Sequence, residues 1–168
     1  MDTKLVEQLK NTLDLKPLPE EGGYYTETYR SEDILSQDVL PGKYNSSRVL
    51  STAIFYLLTP DSHSSLHKLP GDEVYHFYLG DPVELLQLHP NGSAELTILG
   101  QDFFDGMKLQ AVVPGGTWQG ARLKDGGTYA LLGTTMAPGF DFQDFEAGHA
   151  AKLAEIYPQY ADLISSLS

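Results

Sequence analysis

Turn signals recur at nearly even intervals through the middle of this chain, and this spacing constrains the fold more than any other feature. Stretches rich in β-branched and aromatic residues lie between signals that stand about ten residues apart. Short strands joined by regular turns are typical of a β-sandwich or barrel. The signals are Pro60-Asp61, Pro70-Gly71, Gly80-Asp81-Pro82, Pro90-Asn91-Gly92, Asp105-Gly106, Pro114-Gly115-Gly116 and Asp125-Gly126-Gly127.

Helical periodicity is confined to the two ends of the chain. Apolar residues share one face of a helix predicted over residues 3–15, which Pro17 ends. A similar pattern predicts two short helices within residues 147–167. No linker or repeat divides the chain, so we predict one domain over residues 1–168 with a β-barrel core at about 20–145.

Two segments of this barrel can be interpreted individually. The run from Val49 to Thr59 is long, apolar and β-rich, which predicts a buried central strand. The segment from Leu88 to Ser93 contains Asn91-Gly92, a pair that tolerates the positive φ angles of tight hairpin turns, so a hairpin is predicted there.

Composition excludes several classes of function. The chain has no Cys, which excludes disulfide scaffolds, thiolate metal sites and cysteine nucleophiles. With 23 acidic against 11 basic residues, its net charge of -12 predicts no binding to nucleic acid or to an anionic membrane surface. No apolar run approaches the roughly 20 residues of a membrane helix, and the N-terminus lacks a signal-peptide pattern. We therefore expect a cytoplasmic protein.

One stretch combines residues that can carry chemistry. His67 precedes Glu73, six residues separate Glu73 from Gly80, and Pro114-Gly115-Gly116-Thr117-Trp118-Gln119 follows further along the chain. This pattern resembles the two cupin motifs, in which His-x-His, Glu and Gly are followed by Pro-x-Gly-x-x-His. In that family, the three His and the Glu hold a metal inside the barrel.

A closer resemblance extends over the whole chain. Five separated motifs are similar, in the same order, to the cupin subfamily DUF985. The resemblance implies an all-β fold, the double-stranded β-helix or jelly-roll barrel of cupins, and commonly a homodimer; it implies no particular reaction. The motifs are Glu21-Gly22-Gly23-Tyr24-Tyr25, Ser65-Leu66-His67, Gly80-Asp81-Pro82, Val113-Pro114-Gly115-Gly116-Thr117-Trp118 and Ala137-Pro138-Gly139-Phe140-Asp141-Phe142.

The metal positions of the cupin pattern fall on Ser65, His67, Glu73 and Gln119. Only the imidazole and the carboxylate are strong ligands, whereas a catalytic first-row metal usually needs about three. His63 could substitute only if its strand bent inward. The sequence therefore predicts no tightly held metal and no other cofactor, and a metal-dependent oxygenase or isomerase is the weaker alternative.

Strand alternation places Tyr75 on the same side as Glu73 and His76 on the opposite side. The residues predicted to be catalytic are His67, Glu73 and Tyr75, and those predicted to bind a ligand are Ser65, Gln119, Tyr56 and Arg48. The His67–Glu73 pair could instead be a hydrogen-bonded pair without chemistry, and Arg48 could form an ordinary ion pair.

Two main functions stay open. One is a metal-independent enzyme on a small polar molecule, resembling sugar-nucleotide epimerases built on the cupin barrel. In it His67 takes a proton, Glu73 orients the imidazole or raises its basicity, and a Tyr such as Tyr75 or Tyr56 returns a proton. The other is a non-enzymatic module that binds a small molecule in the mouth of the barrel.

Overall fold

Two antiparallel sheets face each other in this chain, of which the computed structural model describes residues 3–168. Within these residues the strands are β1 (Lys16–Pro17), β2 (Tyr24–Arg30), β3 (Ile34–Leu35), β4 (Arg48–Val49), β5 (Thr52–Leu58), β6 (His63–Lys68), β7 (Glu73–Gly80), β8 (Val83–Leu88), β9 (Ala94–Leu99), β10 (Gln110–Val113), β11 (Trp118–Leu123), β12 (Ala130–Met136) and β13 (Glu146–Ala147). One sheet has the order β1-β2-β5-β12-β7-β10 and the other β13-β6-β11-β8-β9. The predicted all-β fold, a double-stranded β-helix, is confirmed.

The inner faces of the two sheets enclose the main apolar core. Alternate residues of each strand point inward, so β5, β7 and β12 meet β8, β9 and β11 across the barrel. The fully or nearly fully buried members are Leu18, Tyr56, Leu58, Tyr75, Phe77, Val83, Leu85, Leu99, Val113, Ala121, Leu123, Ala130 and Leu132.

In the described part of the chain, three short α-helices lie outside the barrel: α1 (Thr3–Thr12), α2 (Ala150–Ile156) and α3 (Ala161–Ser166). Apolar residues of α2 and α3 pack on the outer face of the sheet that contains β6, β8 and β11. Helix α1 packs on the outer face of β5 and β12. It ends before the predicted residue 15, because Asp14 takes a φ of 50° that helical geometry does not allow.

The predicted strand from Val49 to Thr59 is divided in two. Its first residues belong to β4, which pairs with β3 in a separate two-stranded sheet, whereas β5 lies between β2 and β12. The chain changes partners at Leu50, whose N–H donates to the carbonyl of Asp33 at 2.8 Å. The predicted hairpin joins β8 to β9, with Gly92 at a φ of 86°.

The outer face of β7 carries apolar side chains that no helix covers within residues 3–168. Tyr78 is 42% exposed, and Val112, in the neighbouring edge strand β10 of the same sheet, is 51% exposed. The homodimer stays a prediction, and this uncovered face is the surface on which the prediction rests. In the part of the chain that the structure describes, no helix has the length and apolar character needed to cross a membrane.

Candidate functional site

A bulge in β6 decides which of its side chains face the barrel interior. His67 pairs with Gln119 of β11, and Ser64 pairs with Ala121, so two residues of β6 oppose the single Gly120. The bulge turns both Ser64 and His67 inward, and both are fully buried. Ser65, which the motif alignment places at the first metal position, lies half-buried outside this interior group.

His67 presents one unpartnered nitrogen to the interior. Its Nδ1 is 2.8 Å from the carbonyl oxygen of Ser65, and because a carbonyl only accepts, Nδ1 carries the hydrogen. The other ring nitrogen, Nε2, is buried without a hydrogen-bond partner and lies 4.0 Å from Oε2 of Glu21. The other side of the ring is stacked on Phe145, with 5.2 Å between centroids.

Glu21 comes from the turn before β2 and was not predicted as a site residue. Ser64 Oγ donates to its Oε1 at 2.8 Å. The turn lies close against Tyr56, whose hydroxyl donates to the carbonyl of Gly22 at 2.9 Å, and a Cβ atom on Gly23 would lie 2.7 Å from that hydroxyl. The two glycines therefore permit the approach that carries Glu21 inward. The Glu-Gly-Gly motif was the available signal, although nothing in it indicated chemistry.

Glu73 is the first residue of β7 and is almost completely buried. Its Oε2 accepts a hydrogen bond of 2.8 Å from Nε2 of Gln119. Burial is the main cause that raises the pKa of Glu73, the negative charge of Glu21 adds to it, and His67 opposes it. The carboxyl of Glu73 therefore keeps its proton to a higher pH than an exposed glutamate does.

Tyr56 and Tyr75 are both 1% exposed. Burial, followed by the charge of Glu21, raises the pKa of Tyr56 well above its ordinary value. Burial and then the charge of Glu73 act in the same way on the pKa of Tyr75. Both phenols therefore stay protonated across the physiological range.

A cavity of about 200 Å³ adjoins this group. Of the residues predicted from the sequence, Glu73 and Tyr56 line it, whereas His67, Gln119 and Tyr75 are buried and do not. The walls are mainly apolar, and the segment after β12 contributes two phenylalanines that were not predicted. The lining residues are Leu18, Glu21, Tyr25, Glu27, Arg30, Thr52, Ile54, Tyr56, Leu69, Glu73, Thr134, Met136, Phe140 and Phe142.

Arg48 does not line this cavity. Its Nε donates to Oδ2 of Asp144 at 2.8 Å, and Nη2 donates to Oδ1 of the same carboxylate. Nη1 donates to the carbonyls of Ser46 and Ser47 at 3.0 and 2.8 Å. The structure thus gives Arg48 a buried ion pair in place of an open position for a ligand.

The side chains at the cupin metal positions do not fit a tightly held metal. Ser65 lies outside the interior group, and the amide of Gln119 turns its N–H toward Glu73, the carboxylate that would bind the ion. Among residues 3–168, no three His, Asp or Glu side chains are grouped closely enough to hold a metal ion. We therefore derive no chemistry through a metal.

Gln119→His is expected to create or strengthen metal binding, because the new imidazole would stand beside His67 and near Glu73. After purification without added metal, plasma emission should find no stoichiometric transition metal in the wild type and a bound ion in the variant after loading. Gln159→His, at an exposed position, is the control. Near one iron, manganese, nickel or zinc per wild-type chain, lost in His67→Ala, would contradict this prediction.

Comparisons with known proteins agree with this fold. The family model described as Cupin superfamily (DUF985) matches residues 7–148. An uncharacterised protein of Saccharomyces cerevisiae is 32% identical over 132 residues, which cover 74% of this chain and 66% of the yeast protein, just under two thirds of its length.

Two solved structures are similar over nearly their whole length. A hypothetical protein from Leishmania major has a TM-score of 0.83 at 32% identity, covering 96% of this chain and 97% of that one. A protein from Shewanella oneidensis has a TM-score of 0.81 at 31% identity, with 96% of each chain covered. More distant structures, at 15% identity, share the double-stranded β-helix and show the fold alone.

Proposed function

Since the chain belongs to the cupin superfamily (DUF985), we propose that it binds a small polar molecule in the barrel cavity and acts on it as a metal-independent acid–base enzyme. The observation that carries the proposal is Glu73, a buried carboxyl with a raised pKa that lines a mainly apolar cavity. Burying such a group costs folding free energy, and groups of this kind are concentrated at functional sites.

Glu73 is the group that would exchange a proton with the bound molecule. The hydrogen bond from Gln119 fixes one of its oxygens, so Gln119 is a positioning residue. His67 faces Glu21 and does not line the cavity, so it too would act through its neighbour. These roles differ from the sequence-based hypothesis, which gave His67 the proton transfer and Glu73 the orienting role.

The cavity favours a compact molecule. Its volume of about 200 Å³ lies below the roughly 300–1,000 Å³ of sites for drug-sized ligands. Arg30 is the basic residue in the lining, and its Nη2 is already 2.7 Å from the carboxylate of Glu27. A sugar ring fits the epimerase-like hypothesis by size, but the phosphates of a sugar nucleotide would find no free cation in this lining.

One observation favours the alternative of a binding module without turnover. The hydroxyl hydrogen of Tyr56, the phenol in the lining that is most buried, is already donated to the carbonyl of Gly22. Tyr56 is therefore not available to return a proton on the opposite side of a substrate. Solvent deuterium entering a C–H position of the bound molecule would distinguish an enzyme from a binding module.

Filling the cavity tests the proposal without changing its charge. A thermal-shift screen of small polar molecules should find one that stabilises the wild type, by about 2.7 kcal/mol at a hundred times its dissociation constant. Ile54→Trp, in the lining, should abolish that stabilisation, whereas Ile156→Trp, at an exposed position on α2, should not. A ligand that still stabilises the filled variant would bind elsewhere and would contradict the proposal.

A further inference from the structure

We infer that Glu21 is the second proton-transfer group of this cavity, and that Glu21 and Glu73 together act on a small carbonyl compound. Glu21 would take a proton from the carbon beside the carbonyl, while Glu73 gives its proton to the carbonyl oxygen. The inference rests on the proposed function, because it names the partner of Glu73 and the class of molecule on which the two residues act.

The cavity lining offers few groups that could be this partner. Glu27 and Arg30 are occupied by each other, through three hydrogen bonds of 2.7–3.1 Å. The hydroxyl hydrogen of Tyr56 is donated to a backbone carbonyl. Glu21 and Tyr25 therefore remain as the other titratable side chains of the lining, and the contacts of Glu21 distinguish it.

Strand β6 holds both the backbone and the side chain of Glu21. The N–H of Ser65 donates to the carbonyl of Glu21 at 2.7 Å. Ser64 Oγ donates to Oε1 of the carboxylate at 2.8 Å, and Nε2 of His67 lies 4.0 Å from its Oε2. Ser64 and His67 are fully buried, so they form a fixed support behind the carboxylate. A group that must meet a reacting atom needs this kind of positioning.

The two carboxyl groups are arranged for opposite roles. Nε2 of Gln119 donates to Oε2 of Glu73, which leaves Oε1 of Glu73 as the oxygen that can carry a proton. After burial, the charge of Glu21 is the next cause that raises the pKa of Glu73, so the two groups are close enough to interact. One carboxylate and one carboxyl that keeps its proton are a base and an acid in the same site.

A carbonyl compound is the molecule on which such a pair can act. A carboxylate removes a proton from carbon only where a neighbouring carbonyl takes up the electrons, and a protonated carboxyl can neutralise that oxygen. The electron pair of the broken C–H bond forms a C=C bond, and the π electrons of C=O form the new O–H bond with the proton of Glu73. The product is an enol, with Glu21 protonated and Glu73 ionised, and no further reactant is needed.

Hydrogen exchange in D₂O measures this step directly. Dihydroxyacetone and cyclopentanone are compact ketones, and NMR follows the protons beside their carbonyl groups. The wild type should accelerate deuterium entry at this carbon in at least one of them, relative to buffer. Glu21→Gln should lower the protein-catalysed rate by about 10²–10⁴-fold. Glu155→Gln removes the same charge from the exposed surface of α2 and should retain the rate.

A second measurement does not depend on the choice of ketone. In protein with ¹³C-labelled glutamate, an NMR titration follows the carboxyl of Glu73, and Glu21→Gln should lower its pKa because a neighbouring charge is removed. Glu21→Asp keeps the charge but withdraws the carboxylate by one methylene, so the raised pKa should remain while exchange falls. An unchanged pKa of Glu73 in Glu21→Gln would place the two carboxyl groups too far apart to act on one molecule, which would refute the inference.

The remaining outcomes separate this inference from the proposed function. Exchange that survives Glu21→Gln but is lost in Tyr25→Phe would assign the second proton to the phenol and refute the role of Glu21. If neither ketone exchanges while the thermal-shift screen finds a ligand, the carbonyl reaction is refuted and binding of a small polar molecule stands. If the screen finds no ligand either, the proposed function fails together with the inference.

Discussion

Glu73→Gln is expected to lower turnover of the bound molecule by about 10²–10⁴-fold, the usual contribution of a general acid or base. The amide cannot exchange a proton, but it has nearly the same shape, and its oxygen can still accept the hydrogen bond from Gln119. The loss should therefore appear in kcat more than in the fold. If the protein is a binding module, the same variant should weaken binding of the ligand instead.

The same substitution is expected to increase stability at neutral and alkaline pH, by about 1 kcal/mol. The folded-state pKa of Glu73 is raised, chiefly by burial and then by Glu21, so the folded state binds a proton that the unfolded state releases. The stability of the wild type therefore falls as the pH rises from the ordinary pKa of a glutamate through the raised one. The glutamine variant lacks this decline, and its advantage should vanish at acidic pH, below the ordinary pKa.

Denaturant unfolding at a series of pH values measures this difference directly. Glu155→Gln is the matched control, because it removes the same charge from an exposed position and should give a flat difference. A glutamine variant that is less stable than the wild type at neutral and alkaline pH, and not at acidic pH, would show that the ionised carboxylate of Glu73 stabilises the fold, and the acid–base role would then lose its physical basis.

The sequence predicts the fold well because the fold depends on local signals. Turn residues at nearly even spacing, such as Asn91-Gly92, fix the strand ends. Alternation correctly places Glu73 and Tyr75 on the inner face of β7 and His76 on its outer face. Partner exchange between neighbouring strands has no local signal. For this reason the run after Val49 was predicted as one strand although it serves two sheets.

The candidate site is less accessible from the sequence, because its members meet through long-range geometry. Gln119 and Glu73 are hydrogen-bonded, and Gln119 is the neighbour of His67, so the motif alignment did select residues that lie together. Simple alternation cannot predict the bulge in β6, which places Ser64 in the interior and leaves Ser65 outside it. Glu21 lies more than forty positions from His67 in the chain, and only the packed turn brings them together.

Arg48→Ala is expected to destabilise the protein by about 3–5 kcal/mol, the cost of leaving a buried charge without its partner. The guanidinium is 1% exposed and forms two hydrogen bonds with the carboxylate of Asp144, which is 10% exposed. It also donates to two backbone carbonyls, which would lose their donors. The melting temperature should fall by about 10 °C.

A double-mutant cycle separates this ion pair from other effects of the substitution. Removing Asp144 together with Arg48 should cost less than the sum of the two single changes, because neither charge is then left unpaired. The control is Lys16→Ala, which breaks an exposed pair with Asp14, whose nitrogen–oxygen distance is 3.2 Å; this change should cost less than about 1 kcal/mol of stability.

The structure gives Arg48 a structural role in the ion pair with Asp144, whereas the sequence indicated a ligand-binding role. Breaking the buried ion pair should lower the stability if Arg48 has a structural role. An Arg48→Ala variant that kept its melting temperature but no longer bound the ligand would therefore favour the binding role.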